Sequence, residues 1–533
     1  MMKRIRYTLL LLGIMSAVMM SIPFLVPHTG ILSLFGLVPL LCMERIASQH
    51  GVRRFWWWHY GTFVLWNAAT TFWVGNATVG GAIFAILANS LQMSIIFEIF
   101  RWTRKRLSGV LPYIFLPAAW IAWEKWYLTL SQISWPWLVL GNSFAGSVRL
   151  VQWYSVTGTL GGSLWVWTSN LAIFGILLAL SDGRWQNQLN IKAKAAAITS
   201  TAVVIFAPII WSAVLWNNFE ETSEPLDVVI AQPNFDPYQK FQSLTQDQQT
   251  AIIMGQITSA LDGREDKPTL ILTPETFTND VIVGEVPSGK TYRRFASLAD
   301  SHRGTNVLFG ASSYELFDKK PSILAREING KWYENHNSAI MVRGADDYDI
   351  YHKSKLVVGV EMTPYPKLFV PIDNLLGGVM GRNVGQKEVS LLNFEADGKT
   401  VPTGCAVCYE SIYGEHCAKY VRKGARLLTV ITNDAWWGDT PGYRQHLTYS
   451  SLRAIETRRD IARCANTGIS AVINQRGEIL SKTPWWEPAV LQGTVNLSDE
   501  ITPFVRMGDL IGRLSVFVFI LLLLASFVRI KKF

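Results

Sequence analysis

Eight apolar runs, each close to the length of a membrane-spanning helix, constrain the fold of this chain most. Seven precede a long mixed segment and one follows it, at about 8–26, 31–47, 56–76, 81–100, 110–128, 160–181, 195–216 and 507–528. A helix needs about 20 apolar residues to cross the hydrocarbon core of a bilayer. The pattern predicts a multi-pass α-helical membrane bundle of about 8 helices. Its boundaries divide the chain into a membrane domain (1–216), a second domain (217–506), and a last helix with its tail (507–533).

The composition agrees with a membrane protein and argues against a nucleic-acid-binding one. Hydrophobic residues make up 49% of the chain and charged residues only 17%, whereas a soluble domain has about 25% charged residues. The formal net charge is +9. Because Lys and Arg lie mainly at the ends of apolar runs, they indicate membrane topology and not a phosphate-binding surface.

The positive charges also predict an orientation. Five basic clusters fall on the same side if every run crosses once: Lys3, Arg4 and Arg6; Arg45, Arg53 and Arg54; Arg101, Arg104, Lys105 and Arg106; Arg184, Lys192 and Lys194; Arg529, Lys531 and Lys532. Cytoplasmic loops are enriched in Lys and Arg. We therefore expect cytoplasmic termini and an outward-facing segment from 217 to 506. The first run could alternatively be a cleaved signal peptide, but no small-x-small cleavage site follows it.

The outward segment has the pattern of an α/β domain. Six short apolar runs suit buried strands: Leu226–Gln232, Leu270–Pro274, Asn306–Gly310, Ser338–Val342, Ala406–Tyr409 and Leu427–Thr432. Helical stretches are predicted between them, for example at Thr245–Leu261 and Tyr443–Cys464. The alternation predicts a layered sheet covered by helices.

Three reactive side chains follow predicted strands. Glu275 comes after a buried strand, where partial burial favours a general base. Lys353 precedes a glycine-containing turn and could stabilise an oxyanion. Cys408 ends a strand, before a predicted helix start near Glu410 that would make its thiol more nucleophilic. Taken singly, a helix cap, a surface ion pair or a solvated lysine is the commoner role for the first two.

The cysteines leave one alternative open. Cys405 and Cys408 form a C-x-x-C pair, which could be a redox pair or half of a zinc site. Residues three apart in a strand point to opposite faces, and no second pair completes a zinc site. We favour a single reactive thiol, Cys408.

Together, Glu275, Lys353 and Cys408 predict thioester chemistry. Glu275 accepts the thiol proton, Cys408 attacks an acyl carbonyl, and Lys353 stabilises the oxyanion.

These motifs resemble the nitrilase (carbon–nitrogen hydrolase) superfamily, and nearly the whole chain resembles its membrane-bound apolipoprotein N-acyltransferases. The resemblance rests on Pro274-Glu275, Tyr351-x-Lys353, Glu361, Cys408-Tyr409-Glu410, Asn433-Asp434-Ala435-Trp436, Gln445-His446, and, in the membrane part, Trp135-Pro136-Trp137 with Gly141. It implies an extracytoplasmic nitrilase-like α-β-β-α sandwich. It also implies the same catalytic roles for Glu275, Lys353 and Cys408, and substrate or supporting positions for Glu361, Tyr409 and Glu410.

Two departures from the family pattern stand out. Phe241 lies where the family often has a tryptophan, so an aromatic ring is kept but an indole N–H is not. The turn after Lys353 reads Val358-Gly359-Val360 in place of a common Pro-Phe-Gly. Trp436 could line a lipid entrance or simply pack against the domain, and His446 is more typical of a structural hydrogen-bonding residue than of a second base.

The resemblance further implies a reaction: acyl transfer from a membrane phospholipid to the terminal amine of a diacylglyceryl-modified apolipoprotein, in the bacterial inner membrane. No metal or organic cofactor is expected. Two alternatives remain from the sequence, namely a membrane-tethered amidase that hydrolyses a small amide with the same three residues, and a non-enzymatic transporter or receptor. The few charges inside the apolar runs argue against a transport path.

Overall fold

A computed structural model describes residues 2–237, 240–264, 267–302 and 304–528, without the side chains of residues 241 and 242. The chain forms two compact units. One comprises the residues up to Ser131, Trp135–Phe219 and the residues from Met507 on; the other comprises Gln132–Ser134 and Glu220–Arg506.

The α-helices are given in chain order. They are α1 (Met2–Leu25), α2 (Val38–Gln49), α3 (Trp56–Thr71), α4 (Val74–Ala77), α5 (Val79–Thr103), α6 (Leu111–Thr129), α7 (Tyr154–Thr157), α8 (Thr159–Ser181), α9 (Arg184–Asn187), α10 (Ile191–Asn218), α11 (Lys240–Ser243), α12 (Gln246–Leu261), α13 (Lys290–Ser301), α14 (Pro366–Leu375), α15 (Gly414–Arg422), α16 (Pro441–Thr457), α17 (Pro503–Met507) and α18 (Leu510–Phe527).

The first unit is built from long apolar helices. Among the described residues, 6 helical segments are long and apolar enough to cross a membrane: Met2–Leu25, Gly30–Gln49, Val79–Thr103, Thr159–Ser181, Ile191–Asn218 and Leu510–Phe527. The other two predicted spans are also helical. Helix α3 has only 16 residues, and α6 has 19 with Glu124 and Lys125 in its last two turns. The number of eight crossings therefore stays a prediction.

The second unit contains fourteen described strands. They are β1 (Pro225–Gln232), β2 (Thr269–Leu272), β3 (Thr278–Ile282), β4 (Thr305–Phe317), β5 (Arg326–Ile328), β6 (Lys331–Val342), β7 (Tyr348–His352), β8 (Leu392–Ala396), β9 (Lys399–Val407), β10 (Leu427–Thr432), β11 (Ile461–Ala465), β12 (Ala471–Ile473), β13 (Ile479–Lys482) and β14 (Ala489–Asn496).

These strands form two sheets. The 8-stranded sheet has the order β14-β1-β2-β4-β6-β5, with β3 beside β4 and β7 beside β6. The 6-stranded sheet has the order β13-β12-β11-β10-β9-β8. Strands β1, β2 and β4 run parallel to one another, as do β9, β10 and β11. Parallel neighbours bring their carboxyl ends to one edge of the sheet, which is where ligands commonly bind in α/β sheets.

The two sheets pack face to face between helices. On β1, Val228 and Ile230 join the core shared with the second sheet, while Val229 and Ala231 join a core formed with α12 and α13. This alternation is the two-residue period of a strand buried on both faces. Helices α15 and α16 cover the second sheet, and Tyr420 on α15 packs against β9 at Gly404. The domain is an α-β-β-α sandwich, as predicted.

One predicted helix was too long. Helix α16 ends at Thr457, and Ile461–Ala465 forms β11, so the helix predicted over Tyr443–Cys464 is wrong at its carboxyl end. The chain turns at Arg458, whose φ is 48°. The polar run Arg458-Arg459-Asp460 gave no Gly or Pro to mark the turn, although Ile461 begins a short apolar run that suits a strand.

Candidate active site

Three strand ends bring Glu275, Lys353 and Cys408 to one place in the second unit. Lys353 directly follows β7, Cys408 directly follows β9, and Glu275 lies three residues beyond β2. The Lys353 Nζ lies 3.0 Å from Glu275 Oε1, and both side chains are buried. Glu275 and Lys353 are also close enough to the Cys408 thiol to change its pKa. The geometry thus unites the three groups that the sequence singled out.

Glu361 and Asn337 complete the surroundings of the ammonium group. Glu361 Oε2 lies 2.9 Å from Lys353 Nζ. The Asn337 amide donates hydrogen bonds to Glu275 Oε1 at 2.7 Å and to Glu361 Oε1 at 2.8 Å. Burial works against the charged amine, but the two carboxylates outweigh it and raise the pKa of Lys353. Lys353 therefore carries a fixed positive charge at this site.

Asn337 was not foreseen from the sequence. It lies near the middle of β6, where its side chain is 3% exposed. The only available signal was a carboxamide inside a run that otherwise reads as a buried strand, since asparagine is depleted in strands. Because both of its N–H groups bond carboxylates, Asn337 holds Glu275 and Glu361 on either side of Lys353.

The Cys408 backbone adopts a left-handed conformation at a sharp turn. Its φ is 52°, and it begins the 3₁₀ helix Cys408–Ile412, not an α-helix. Burial raises the pKa of the Cys408 thiol, the charge of Glu275 raises it further, and Lys353 acts in the opposite direction. The thiol is therefore protonated at rest, and a base must remove its proton before it can attack a carbonyl.

Glu410 connects the Cys408 turn to the Lys353 turn. Its Oε2 accepts a hydrogen bond from the Val407 N–H at 2.9 Å. Its Oε1 accepts from the N–H groups of Ser354 at 2.7 Å and Lys355 at 3.0 Å, and from the Tyr351 hydroxyl at 2.7 Å. Glu410 is fully buried. It thus positions the two turns and is not free to react.

The loop that carries Glu275 is held closely against β4. A Cβ on Gly310 would lie 2.4 Å from the Pro274 carbonyl oxygen and 2.7 Å from the Glu275 Cα, so only glycine permits this approach. The Asn433 N–H donates to Glu275 Oε2 at 3.1 Å.

The buried Lys240 ammonium also contacts this loop, because it donates to the Thr276 carbonyl. Burial lowers the pKa of Lys240 to about 7, with the charge of Glu275 acting against it. Lys240 was also missed from the sequence.

The remaining predicted site residues lie in different surroundings. Tyr409 donates to the Ser134 carbonyl at 2.9 Å and packs edge-on against Tyr413. Trp436, in the 3₁₀ helix Asp434–Trp437, is 39% exposed. The Phe241 side chain lies outside the described part of the chain, so its predicted role is not addressed. Among the described residues, no group of three or more His, Cys, Asp or Glu side chains could hold a metal ion.

Two family models match the chain, each over one region. The carbon–nitrogen hydrolase model matches residues 270–502, and the apolipoprotein N-acyltransferase N-terminal domain model matches residues 16–172. The first region contains Glu275, Lys353 and Cys408. The second contains α2 to α7 and parts of α1 and α8.

Similar proteins agree with these matches. An apolipoprotein N-acyltransferase of Chlorobaculum tepidum is 29% identical over 94% of this chain and 93% of its own length. One from Geobacter metallireducens is 25% identical over 94% of this chain and 91% of its own. Among solved structures, Saccharomyces cerevisiae Nit3, a member of branch 10 of the nitrilase superfamily, has a TM-score of 0.36 and 14% identity over 54% of this chain and 93% of that one.

The sandwich, the strand-end residues and the hydrolase-domain match define a nitrilase-type protein whose catalytic domain is attached to apolar helices. Within that class, the amino-terminal domain match and the near-full-length relatives are decisive. The chain combines a carbon–nitrogen hydrolase domain with an apolipoprotein N-acyltransferase N-terminal domain, and it is similar to apolipoprotein N-acyltransferases over nearly its full length.

Proposed function

We propose that this protein transfers a fatty acyl chain from a membrane phospholipid to the α-amino group of the amino-terminal diacylglyceryl-cysteine of lipoproteins, the last step of lipoprotein maturation. The observation that carries the mechanism is the convergence of Glu275, Lys353 and Cys408, with Lys353 Nζ 3.0 Å from Glu275 Oε1. A base, a fixed cation and a thiol are the groups that acyl transfer through a thioester requires.

The first half-reaction loads the enzyme. Glu275 accepts the Cys408 thiol proton, and the thiolate attacks the ester carbonyl carbon of the phospholipid. Lys353 stabilises the oxyanion of the tetrahedral intermediate. When the carbon–oxygen ester bond breaks, Glu275 returns its proton to the departing alkoxide. The products are a lysophospholipid and a thioester on Cys408.

The second half-reaction transfers the chain. The lipoprotein amine attacks the thioester carbonyl, and Glu275 accepts a proton from the attacking nitrogen. The carbon–sulfur bond breaks, the thiolate regains the proton, and an amide is formed. Lys353 again faces the oxyanion. Because one carboxylate accepts and returns a proton in each half, the scheme is ping-pong and needs no other acid or base.

An exposed apolar helix near the site supports a lipid substrate over a small amide. Helix α14 belongs to the same loop as Glu361 and exposes Leu368 by 61%, Ile372 by 45% and Leu375 by 87%. Leu376 and Val379, just beyond it, are exposed by 67% and 78%. Exposed apolar patches of this kind mark lipid or protein contacts. A small soluble amide would not require contact with such an apolar surface.

The membrane setting follows from the same substrates. Both the phospholipid and the diacylglyceryl-modified apolipoprotein are held in the bilayer, at about 0.8 kcal/mol per buried CH₂. We propose that the protein lies in the bacterial inner membrane with both termini in the cytoplasm. Residues 217–506 would then form the periplasmic catalytic domain, between the membrane domain of residues 1–216 and the last helix and tail of residues 507–533.

Detection of the acyl-enzyme intermediate tests the proposed function. Purified full-length protein incubated with phospholipid should gain the mass of one acyl group, released by hydroxylamine and located on the peptide that contains Cys408. Cys408→Ala should abolish the gain, and Cys405→Ala, which removes a buried thiol three residues earlier, should retain it. Acylation that persists in Cys408→Ala would overturn the proposal.

Following a labelled acyl chain distinguishes the proposed acyl transfer from the alternative, hydrolysis of a small amide. With phospholipid and a diacylglyceryl-cysteine peptide present, the label should appear as an amide on the peptide. Release mainly as free fatty acid, or turnover of small amides without any acyl-enzyme from phospholipid, would instead support a membrane-tethered amidase.

A further inference from the structure

A cavity lined by arginines lies in the helical unit, where α1 and α3 begin and α2 has ended. Its volume is about 650 Å³, within the range of about 300–1,000 Å³ that is usual for ligand pockets. Its lining includes Arg6 of α1, Arg53 and Arg54 between α2 and α3, and Trp57 and Trp58 of α3. This arginine cavity belongs entirely to the unit that does not contain the reactive thiol.

The positive charge of the arginine cavity is not balanced by the protein. In the described part of the chain, the side chains of Arg6, Arg53 and Arg54 make no ion pair and no hydrogen bond, and no acidic side chain lines the cavity. Helix α3 begins beside these residues without an acidic residue in its first turn. Because the amino end of a helix carries a partial positive charge, α3 adds to the attraction for an anion.

Other arginines near the ends of these helices are paired with carboxylates. Arg45 lies 3.1 Å from Asp182, Arg101 lies 2.7 Å from Glu98, and Arg104 bonds the buried Glu44. Basic residues determine membrane orientation by their number and side, which does not require them to converge on one cavity. The three unpaired arginines therefore indicate a bound anion and not orientation alone.

The lining fits the headgroup of an anionic phospholipid. Guanidinium groups bind phosphate oxygens through two parallel N–H bonds. Trp57 is 64% exposed and belongs to a run of three tryptophans, a residue type enriched at the headgroup level of membranes. Helix α1 and the segment Gly30–Gln49 are both long and apolar enough to cross a membrane. Since a spanning helix ends at the bilayer surface, the cavity would open at the level of the headgroups.

We propose that the arginine cavity binds the phosphate headgroup of an anionic phospholipid, as a lipid site additional to the acyl-donor site. The lipid would connect the start of α1 to the turn between α2 and α3. In the predicted orientation it belongs to the cytoplasmic leaflet, where basic pockets between membrane helices bind lipid headgroups. The inference requires only that the helical unit lies in a membrane, and it does not depend on acyl transfer.

Binding of phosphatidylglycerol tests the site without any turnover. Full-length Cys408→Ala protein in neutral detergent, which cannot consume lipid through the proposed thioester, is titrated with dioleoyl phosphatidylglycerol or phosphatidylcholine and studied by native mass spectrometry. One phosphatidylglycerol should bind in preference to phosphatidylcholine. Adding Arg6→Gln, Arg53→Gln and Arg54→Gln should weaken its binding about 100-fold, because each basic side chain contributes about fivefold. Binding of phosphatidylcholine should not change.

A matched variant separates the cavity from general attraction by positive charge. Arg184→Gln, Lys192→Gln and Lys194→Gln remove the same number of charges from a basic cluster that does not line the cavity, and should keep the preference for phosphatidylglycerol. An equal loss in both triple variants would refute the site. Displacement of the lipid by an equimolar amount of inorganic phosphate would also refute it, because the ligand would then be a soluble anion.

A second measurement leaves the arginines unchanged and so does not depend on the folding of the triple variant. Phosphatidylglycerol with a photoactivatable group on its headgroup should label residues 2–6 or 51–58. Unlabelled phosphatidylglycerol should suppress this labelling, and phosphatidylcholine should not. Labelling that is spread over all basic clusters, or that unlabelled phosphatidylglycerol does not suppress, would contradict the inference.

Discussion

At the scale of single residues, Glu410 shows how strongly one buried carboxylate can organise a site. It accepts hydrogen bonds from main-chain N–H groups on both the Cys408 side and the Lys353 side. Burial alone would raise its pKa, but His416 and the hydrogen-bond donors around it lower the pKa of Glu410 instead. A neutral amide at this position could not accept all of these bonds.

Glu410→Gln should therefore destabilise the domain and disturb the site. The variant leaves buried N–H groups without an acceptor and His416 without its ionised partner, so we expect a loss of about 3 kcal/mol in the free energy of unfolding and little acyl-enzyme. Thermal unfolding in detergent and acyl-enzyme mass spectrometry measure the two effects. Glu388→Gln, at a side chain with 86% exposure, is the control and should change neither. Wild-type behaviour of Glu410→Gln would contradict this account.

The pKa of Asp434 predicts a specific acid sensitivity. Arg463 and His446 outweigh burial and lower its pKa from an ordinary value of 3.8 to about 2, so the unfolded state binds more protons between these values. The stabilisation by Asp434 is complete above the unfolded pKa and is lost as the pH falls towards 2. Wild-type thermal stability should drop more steeply between pH 4 and pH 2 than that of Asp434→Asn. Parallel pH profiles of the two proteins would contradict the assignment.

The sequence identified the reactive residues but not the ones that hold them. Glu275, Lys353 and Cys408 each follow a strand-like run, which is a local pattern. Asn337 on β6 donates to Glu275, and Lys240 on α11 donates to the adjacent Thr276 carbonyl. No local pattern marks such contacts because they depend on the tertiary fold. The hydrogen bond between His446 and Asp434 likewise joins residues that are twelve positions apart in sequence and belong to different elements.

At the scale of elements, buried strands were easier to predict than the ends of helices. Strand β10 coincides with the predicted run Leu427–Thr432, because a continuous apolar run bounded by polar residues is distinctive. Strands β4 and β6 extend well beyond their predicted runs, since their outer parts pair with each other and carry polar side chains. Helix α16 was predicted to continue through the segment that forms β11. The polar end of α16 carries no Gly or Pro, and Arg458 at the left-handed turn is buried and donates a hydrogen bond to the Gln475 carbonyl at 2.9 Å.

Helix α14 provides a prediction about substrate access. The triple variant Leu368→Ser, Ile372→Ser and Leu375→Ser removes exposed apolar side chains, so thermal stability should be unchanged. If this face contacts lipid, the KM for phospholipid in mixed micelles should rise about tenfold, because contact of even part of these side chains with acyl chains is worth about 1.4 kcal/mol. Initial rates of acyl-enzyme formation against phospholipid mole fraction measure the effect.

Two controls accompany the α14 variant. Its rate with a short-chain, water-soluble ester should equal that of the wild type, since the reacting groups are untouched. Leu480→Ser, at a leucine of β13 with 58% exposure, should leave the KM for phospholipid unchanged. An equal loss with both substrates would assign α14 to folding of the site and not to lipid access.

At the scale of the whole molecule, the apolar runs predicted the helical unit and the α/β unit, but not the number of crossings. Six described segments satisfy the requirements of a span, whereas α3 and α6 fall short by length or by their polar residues. The order of strands in the two sheets could not be predicted from the sequence either, because it depends on packing between segments that are distant in the chain.

The orientation can be tested directly. Reporter fusions after residues 52, 106, 190 and 528 should fluoresce as green fluorescent protein and be inactive as alkaline phosphatase, because the basic clusters predict a cytoplasmic location for these points. Fusions within 225–500 should show the opposite pattern. Active phosphatase at residue 106 or 190 would contradict a single crossing by every predicted span.

The division of the reactive groups between the two sheets has a consequence for biogenesis. Glu275 and Lys353 follow strands of the 8-stranded sheet, and Cys408 follows a strand of the 6-stranded sheet. Glu410 accepts main-chain hydrogen bonds from both the Lys353 turn and the Cys408 turn. A nascent chain in which only β1 to β7 have paired therefore has the carboxylate and the ammonium group but not the thiol, because Cys408 follows β9. We therefore expect the complete set of reactive groups to form only when the two sheets pack together, late in the synthesis of the domain.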